Sequence, residues 1–241
     1  MQGIRFEGFS CYYKNKKEYI PALRDIHLEI SAGELFVVVG PSGSGKTTLL
    51  KCVLGLCEYV EGELYVDSIS IDEFDAKKHN VGYVSQEAAL YPNMTVYDNI
   101  AFPLRMIHTD PEEIDVCVKE IAHHLGMTYL LGRLPRQLSG GQQQCVAIAR
   151  AFVKNPRIIL LDEPFANIDP VFRERLRSAV KKIQKQYHAT MIFVTHDLQE
   201  GLFLADRMGI LEEGRLVAVG NAESLNQQEC SVFQREIGNE V

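Results

Sequence analysis

The chain has 241 residues, 46% of them hydrophobic and 24% charged, with 25 basic and 32 acidic side chains and a formal charge of −7. These proportions exclude a disordered or fibrous chain and suit one large domain, or a core with an inserted subdomain. An acidic chain is also a poor expected partner for nucleic acid, whose phosphates reward clustered Lys and Arg.

Short strand-like runs alternate with helical patterns along the chain, which predicts an α/β fold. Residues 4–9 and 27–30 alternate and read as half-buried strands. Leu35–Val39 is a continuous apolar run ending at Gly40, the pattern of a buried parallel strand. A Gly-rich turn follows, then a helix expected over about 47–57. Residues 63–66 and Val81–Val84 are further strands. From 88 to 155 the pattern is almost wholly helical. Asp110-Pro111-Glu112-Glu113 opens one helix with an N-cap and a proline at the first position. Ile114, Val118, Ile121, Ala122 and Leu125 then share its apolar face. The α/β pattern resumes with a buried strand at 158–161. Asp169 caps a helix with Pro170 in its first turn and Phe172, Leu176, Ala179, Val180 and Ile183 on its packed face. Thr190–Thr195 is the next strand, and 208–211 with 215–219 flank Glu212-Glu213-Gly214 as a hairpin.

Apolar runs such as Leu35–Val39 are far shorter than the ~20 residues of a membrane-spanning helix. The start MQGIRFEGFS has no apolar signal core, so export is not expected. Six cysteines (Cys11, Cys52, Cys57, Cys117, Cys145 and Cys230) form no C-x-x-C pair and have no His cluster beside them. The expectation is free thiols in a reducing cytoplasm, several buried, and no zinc site.

Two patterns carry chemistry. Gly40-Pro41-Ser42-Gly43-Ser44-Gly45-Lys46-Thr47 matches G-x-x-x-x-G-K-[ST] between an apolar strand and a helix, with Thr48 following. Glycines let backbone N–H groups approach phosphates, and the helix start adds about +0.5 of a charge. Lys46 supplies a full charge for the β- and γ-phosphates, and the Thr47 hydroxyl suits Mg²⁺. The loop thus predicts a nucleoside triphosphate site without saying which kind of NTPase holds it. The second pattern is Ile158-Ile159-Leu160-Leu161-Asp162-Glu163, a strand delivering two carboxylates to its C-terminal end. Strand alternation would point the two acids to opposite sides. Asp162 suits the Mg²⁺ shell and Glu163 the general base for an attacking water, which favours hydrolysis over phosphate transfer to a metabolite.

Leu138-Ser139-Gly140-Gly141-Gln142 completes a set that resembles the ATP-binding cassette (ABC) ATPases, in order from end to end. The resemblance implies a P-loop NTPase (RecA-like) core with an N-terminal antiparallel β subdomain and an inserted α-helical subdomain. It implies one cassette over 1–241, with 1–87 and 156–241 as the core and 88–155 as the helical signature subdomain. Tyr13 is similar to the aromatic that stacks on adenine, with Tyr12 as a second candidate. Gln86 resembles the Q-loop glutamine, a metal ligand with Thr47 and Asp162. His196, within Thr195-His196-Asp197, resembles the switch histidine, and Asp169 belongs to a D-loop-like Ala166-Asn167-Ile168-Asp169. Catalysis is thereby implied for Lys46, Gln86, Glu163 and His196. Ser139, Gly140, Gly141 and Gln142 are implied to act in trans. Ser139 would cap a helix through Val146 and Ala149, and its open N-terminus would close on the nucleotide of a second cassette in a head-to-tail dimer. Three positions depart from the family pattern: Cys145 where Arg is frequent, Ala166 for Ser and Ile168 for Leu. Cys145 puts a helix-positioning ion pair in doubt.

Residues 90–100 resemble the segment of importer cassettes that receives a membrane subunit, and Pro135-Arg136-Gln137-Leu138 resembles importers of sugars, polyamines or ions. The implied partners are separate permease subunits and a solute-binding protein, with ATP and Mg²⁺ bound and no nucleic acid. The implied location is the inner face of the cell membrane. A soluble ABC ATPase working on a macromolecule, an exporter ATPase and a nucleotide-sensing module without turnover are the alternatives.

Overall fold

The structure, a computed structural model, describes residues 3–16, 18–76, 79–166, 168–221 and 225. Asn167 and Cys230 therefore lie outside the described residues.

Two sheets form the frame. The first is antiparallel, in the order β2-β1-β4-β5, from β1 (Ile4–Asn15), β2 (Glu18–Ile30), β4 (Tyr59–Val66) and β5 (Ile69–Ser70). The second has six strands in the order β10-β9-β3-β8-β7-β6. Here β3 (Leu35–Val39), β6 (Val81–Val84), β7 (Ile158–Asp162), β8 (Thr190–Thr195) and β9 (Arg207–Glu212) run parallel. The last strand, β10 (Arg215–Gly220), turns back antiparallel to β9 as the expected hairpin. The expected α/β class with an antiparallel β subdomain is what the chain forms.

The central strands are apolar throughout because both faces of the sheet are covered. Leu35, Val37 and Val39 of β3 enter one core cluster, while Phe36 and Val38 enter the other. The second cluster lies against α1 (Lys46–Val53) and the antiparallel sheet. The first lies against α2 (Val96–Met106), α3 (Pro111–His124), α4 (Gly140–Phe152), α5 (Pro170–Tyr187) and α6 (Leu198–Leu204). Ile114, Val118, Ile121 and Ala122 form the buried face of α3, and Leu176, Val180 and Ile183 that of α5. Phe172 and Ala179 are only partly covered.

Three expectations need correction. Strands β1, β2 and β4 run well beyond 4–9, 27–30 and 63–66. Bulges hide their period: the β1 register shifts between Glu7 and Ser10 on its β4 side, where Gly62 lies so close that a Cβ would meet the Gly8 carbonyl oxygen at 2.2 Å. Helix α1 ends at Val53, not near Cys57, because Gly55 takes a left-handed φ of 68° and closes it. The 88–155 segment is less helical than expected. Two short 3-10 turns, at Thr128–Leu130 and Pro135–Gln137, interrupt it, and the stretch before Val96 is a loop.

Candidate nucleotide-binding site

The ends of β3, β7 and β8 bring the loop and the carboxylates together, as parallel sheets do at their C-terminal edge. A cavity of about 600 Å³ opens over the loop. Ser42, Gly43, Lys46, Thr47 and Thr48 line it, and so does Tyr13. Gln86 and Glu163 reach the same cavity, and both also line a neighbouring one of about 420 Å³. Tyr13 donates or accepts a hydrogen bond with Thr48 at 3.0 Å and leaves much of its ring exposed. Tyr12 points elsewhere, its hydroxyl donating to Glu61 at 2.9 Å.

The loop glycines have different reasons to be glycine. A Cβ on Gly40 would stand 2.1 Å from the Leu211 carbonyl oxygen, so close backbone packing dictates that position. Gly43 faces open space at a φ of +83°, which suits a backbone turned toward a ligand. The hairpin turn braces the loop from below in sequence, the Gly214 N–H donating to the Ser44 carbonyl at 2.9 Å.

Lys46 is nearly buried, and its ammonium donates to the carbonyls of Gly40 at 2.8 Å and Pro41 at 2.9 Å. Burial lowers its pKa, opposed by the charge of Glu163 3.6 Å away. His196 Nδ1 lies 2.9 Å from the other oxygen of Glu163. Thr47 donates to Asp162 at 3.0 Å, and Tyr83 donates to the second Asp162 oxygen at 3.4 Å. Burial raises the Asp162 pKa, partly offset by the Thr47 hydrogen bond. The two acids do separate, but strand alternation is not the cause. Strand β7 ends at Asp162, and Glu163 turns away with a left-handed φ of +44°. That conformation costs a non-glycine residue about 1–2 kcal/mol.

The donors suit a magnesium–triphosphate. Thr47 and Asp162 present hard oxygens side by side, the ligand type Mg²⁺ prefers. Ser44 Oγ, buried in the loop, has no hydrogen-bond partner among the described residues. A buried hydroxyl without a partner is costly unless a ligand or water meets it.

At the other end, Ser139 caps α4. Its hydroxyl accepts from the Gln142 N–H at 3.3 Å, and Gln142 Oε1 accepts from the Ser139 N–H at 3.1 Å. Gly140 has nothing within 4 Å of where a Cβ would stand. Gly141 is different: a Cβ there would meet Ile168 at 3.3 Å and Phe172 at 3.5 Å, so it is a packing glycine. Asp169 caps α5 by accepting from the Phe172 N–H at 3.0 Å. Cys145 sits in apolar packing, its sulfur 3.6 Å from that of Met127, and burial pushes its thiol up to about 12.

Sequence reasoning missed the residues that hold the chain on both sides of Gln86. Gln144 of α4 donates to the Ser85 carbonyl at 3.2 Å, and Arg150 donates to those of Ala89 and Ala88 at 3.0 and 3.1 Å. Asn99, wholly buried, accepts from the Tyr91 N–H at 2.8 Å and donates to the Tyr91, Met94 and Thr95 carbonyls. A polar residue at a buried helical position was the available signal.

A match to the family described as ABC transporter spans residues 23–166. The chain belongs to the ABC family. The cassette is 33% identical, with a TM-score of 0.82, to MJ0796 in a dimeric post-hydrolysis state bound to ADP and Pi, and covers 98% of that chain and 91% of its own length. It is 43% identical to the molybdate/tungstate import ATP-binding protein WtpC of Pyrococcus abyssi over 92% of its length. It is 42% identical to the trehalose/maltose import ATP-binding protein MalK of Thermococcus litoralis over 89% of its length. The cassette spans 63% and 59% of those two relatives. Among the described residues no helix is long and apolar enough to cross a membrane.

Proposed function

We propose that this cassette is the ATP-hydrolysing subunit of an ABC importer, working in a head-to-tail pair with a second cassette. The linked side chains Thr47–Asp162 and Lys46–Glu163–His196 at one cavity carry the reading. Lys46, the loop N–H groups and the start of α1 bind the phosphates, Thr48 helps close that stretch, and Tyr13 stacks on the base. Thr47, Asp162 and Gln86 hold Mg²⁺, which supplies Lewis-acid charge to the phosphoryl oxygens when bound. Before nucleotide arrives, Lys46 is held by two loop carbonyls and Glu163. Phosphate draws Lys46 away and frees Glu163 to take the proton of an attacking water. His196 keeps that carboxylate oriented. The open N-terminus of α4, capped by Ser139 and flanked by Gly140, Gly141 and Gln142, closes over the γ-phosphate of the partner cassette, with Asp169 near the joint.

On this reading the chain is one cassette, in which the described residues of 1–87 and 156–241 belong to the core with its β subdomain and 88–155 to the helical signature subdomain. The segment 90–100, fixed by Asn99 and Arg150, receives integral permease subunits. The cassette then sits on the cytoplasmic face of the membrane, and a solute-binding protein delivers cargo. Relatives named for molybdate/tungstate and for trehalose/maltose import support import over export. The membrane subunits choose the solute, a reading that the relatives' diverse cargoes support.

Mixing two inactive chains tests the shared site. Lys46→Ala lacks the loop charge and Gly140→Asp blocks the helix end. A mixed dimer contains one composite site with both parts intact. Recovery of ATPase activity on mixing is expected; two chains that stay inactive when shown to dimerise would overturn the trans arrangement. Purification from native membranes should yield an integral membrane protein alongside the cassette. Recovery with ribosomes or DNA instead would overturn the importer reading.

A further inference from the structure

The cysteines are not scattered. Among the described residues, the sulfurs of Cys11, Cys52 and Cys57 all lie within 4.8 Å of one another. Cys52 Sγ is 3.3 Å from Cys57 Sγ. Cys11 comes from β1, Cys52 from α1, and Cys57 from the link between α1 and β4. No spacing rule reveals this trio, because the first thiol arrives from a different sheet. Cys11 and Cys52 are buried within the apolar cluster under the antiparallel sheet, and Cys57 is half-buried at its edge.

Thiolates around a tetrahedral ion with 2.3 Å metal–sulfur bonds stand roughly 3.8 Å apart. The observed spread, 3.3 Å for the nearest pair and under 4.8 Å for all, brackets that separation. A disulfide would use two sulfurs and give the third no part. Soft thiolates in an apolar shell select thiophilic ions over Mg²⁺ or Ca²⁺. Hydrogen bonds from Cys11 and Cys52, with Lys51 nearby, lower the Cys57 pKa, while contact with the neighbouring thiols and burial raise those of Cys11 and Cys52, so the trio favours its first negative charge on Cys57.

We propose that Cys11, Cys52 and Cys57 form a three-thiolate site for a thiophilic d¹⁰ cation such as Zn²⁺ or Cu⁺, with its open coordination position on the side of Cys57. Binding releases a proton from each thiol still protonated, and the ion forms bonds to all three sulfurs without any redox change. Three thiolates and Zn²⁺ leave one negative charge, beside Lys51. The ion would tie β1, which carries Tyr13, to α1, which begins at Lys46.

The test is titration of the full reduced chain with Cd²⁺, read by thiolate-to-metal charge-transfer absorption, then displacement by Zn²⁺ or by Cu⁺. One tightly bound ion per chain is expected. Cys57→Ser, at the half-buried position and so least disruptive to folding, should weaken binding by about 100-fold or more, beyond what loss of an outer partner costs. Cys117→Ser should leave it unchanged. Uptake should also survive Lys46→Ala, so failure here is separable from failure of the nucleotide reading. A missing charge-transfer band, a band indifferent to Cys57→Ser, or a reduced chain that takes no metal while thiol oxidants form a Cys52–Cys57 disulfide would each overturn the proposal.

Discussion

The phosphate loop and the Ser139–Gln142 turn both begin a helix with glycine and hydroxyl residues, yet the chain finishes them differently. At the loop, functional side chains are bonded to the end of a distant strand: buried Lys46 to Glu163, and exposed Thr47 to buried Asp162. At the turn, the side-chain bonds of Ser139 and Gln142 are to each other, and a Cβ on Gly140 would meet nothing within 4 Å. One helix end is completed inside the chain. The other is stabilised as a helix but left open as a surface, which is what a contribution to a neighbour's site requires. Burial also sets the electrostatics at the loop, lowering the Lys46 pKa and raising that of Asp162.

Substitutions can break this contrast. Glu163→Gln should have the largest effect, cutting ATP turnover by on the order of 10²–10⁴-fold, the usual worth of a general base. Nucleotide binding should persist, and gel filtration with ATP should show a stable dimer. A mutant that stays monomeric would count against the open helix end as a partner's site. Lys46→Ala should weaken Mg-ATP binding by roughly 10–100-fold, the worth of one or two charge-assisted bonds. Titration with a fluorescent ATP analogue measures it. Gly140→Asp, at the open end, should leave that titration of the isolated chain unchanged while turnover falls.

Protonation gives a smaller effect. The folded-state pKa of Asp162 is raised above its ordinary 3.8, so the folded chain holds that proton more tightly. Without Mg²⁺, stability should fall as pH rises through the window just above 3.8. Asp162→Asn should flatten that slope in thermal melts while abolishing the Mg²⁺ dependence of nucleotide binding. Smallest is Ser139→Ala, which removes a cap worth about 1 kcal/mol. Thermal denaturation should register that loss.

Much of the frame is legible without coordinates, because local rules act on it. The continuous apolar run at Leu35–Val39 is a buried strand, since both faces are covered. Asp110 and Asp169 announce their helices by the same cap and proline that the structure contains. What failed was set by contacts across the fold. The bulge near Gly8 and Gly62 disrupts the strand period, so alternation ends too early. Asn99, Gln144 and Arg150 look like ordinary helix residues until their carbonyl partners are known.

The sequence by itself determined the α/β class, the phosphate loop between strand and helix, and the order of the family's motifs. Each depends on side-chain types at short spacing, and short spacing is what a linear pattern preserves. Tertiary structure alone decided three matters. The left-handed turn of Glu163, not strand alternation, aims it at Lys46 and His196. Tyr13 faces the nucleotide cavity while Tyr12 turns to Glu61. The three thiols meet because the antiparallel sheet and α1 share one apolar cluster, which brings Cys11 close to Cys52 and Cys57. Each is a contact between residues far apart in the chain, fixed by how sheets and helices pack and invisible to any local rule.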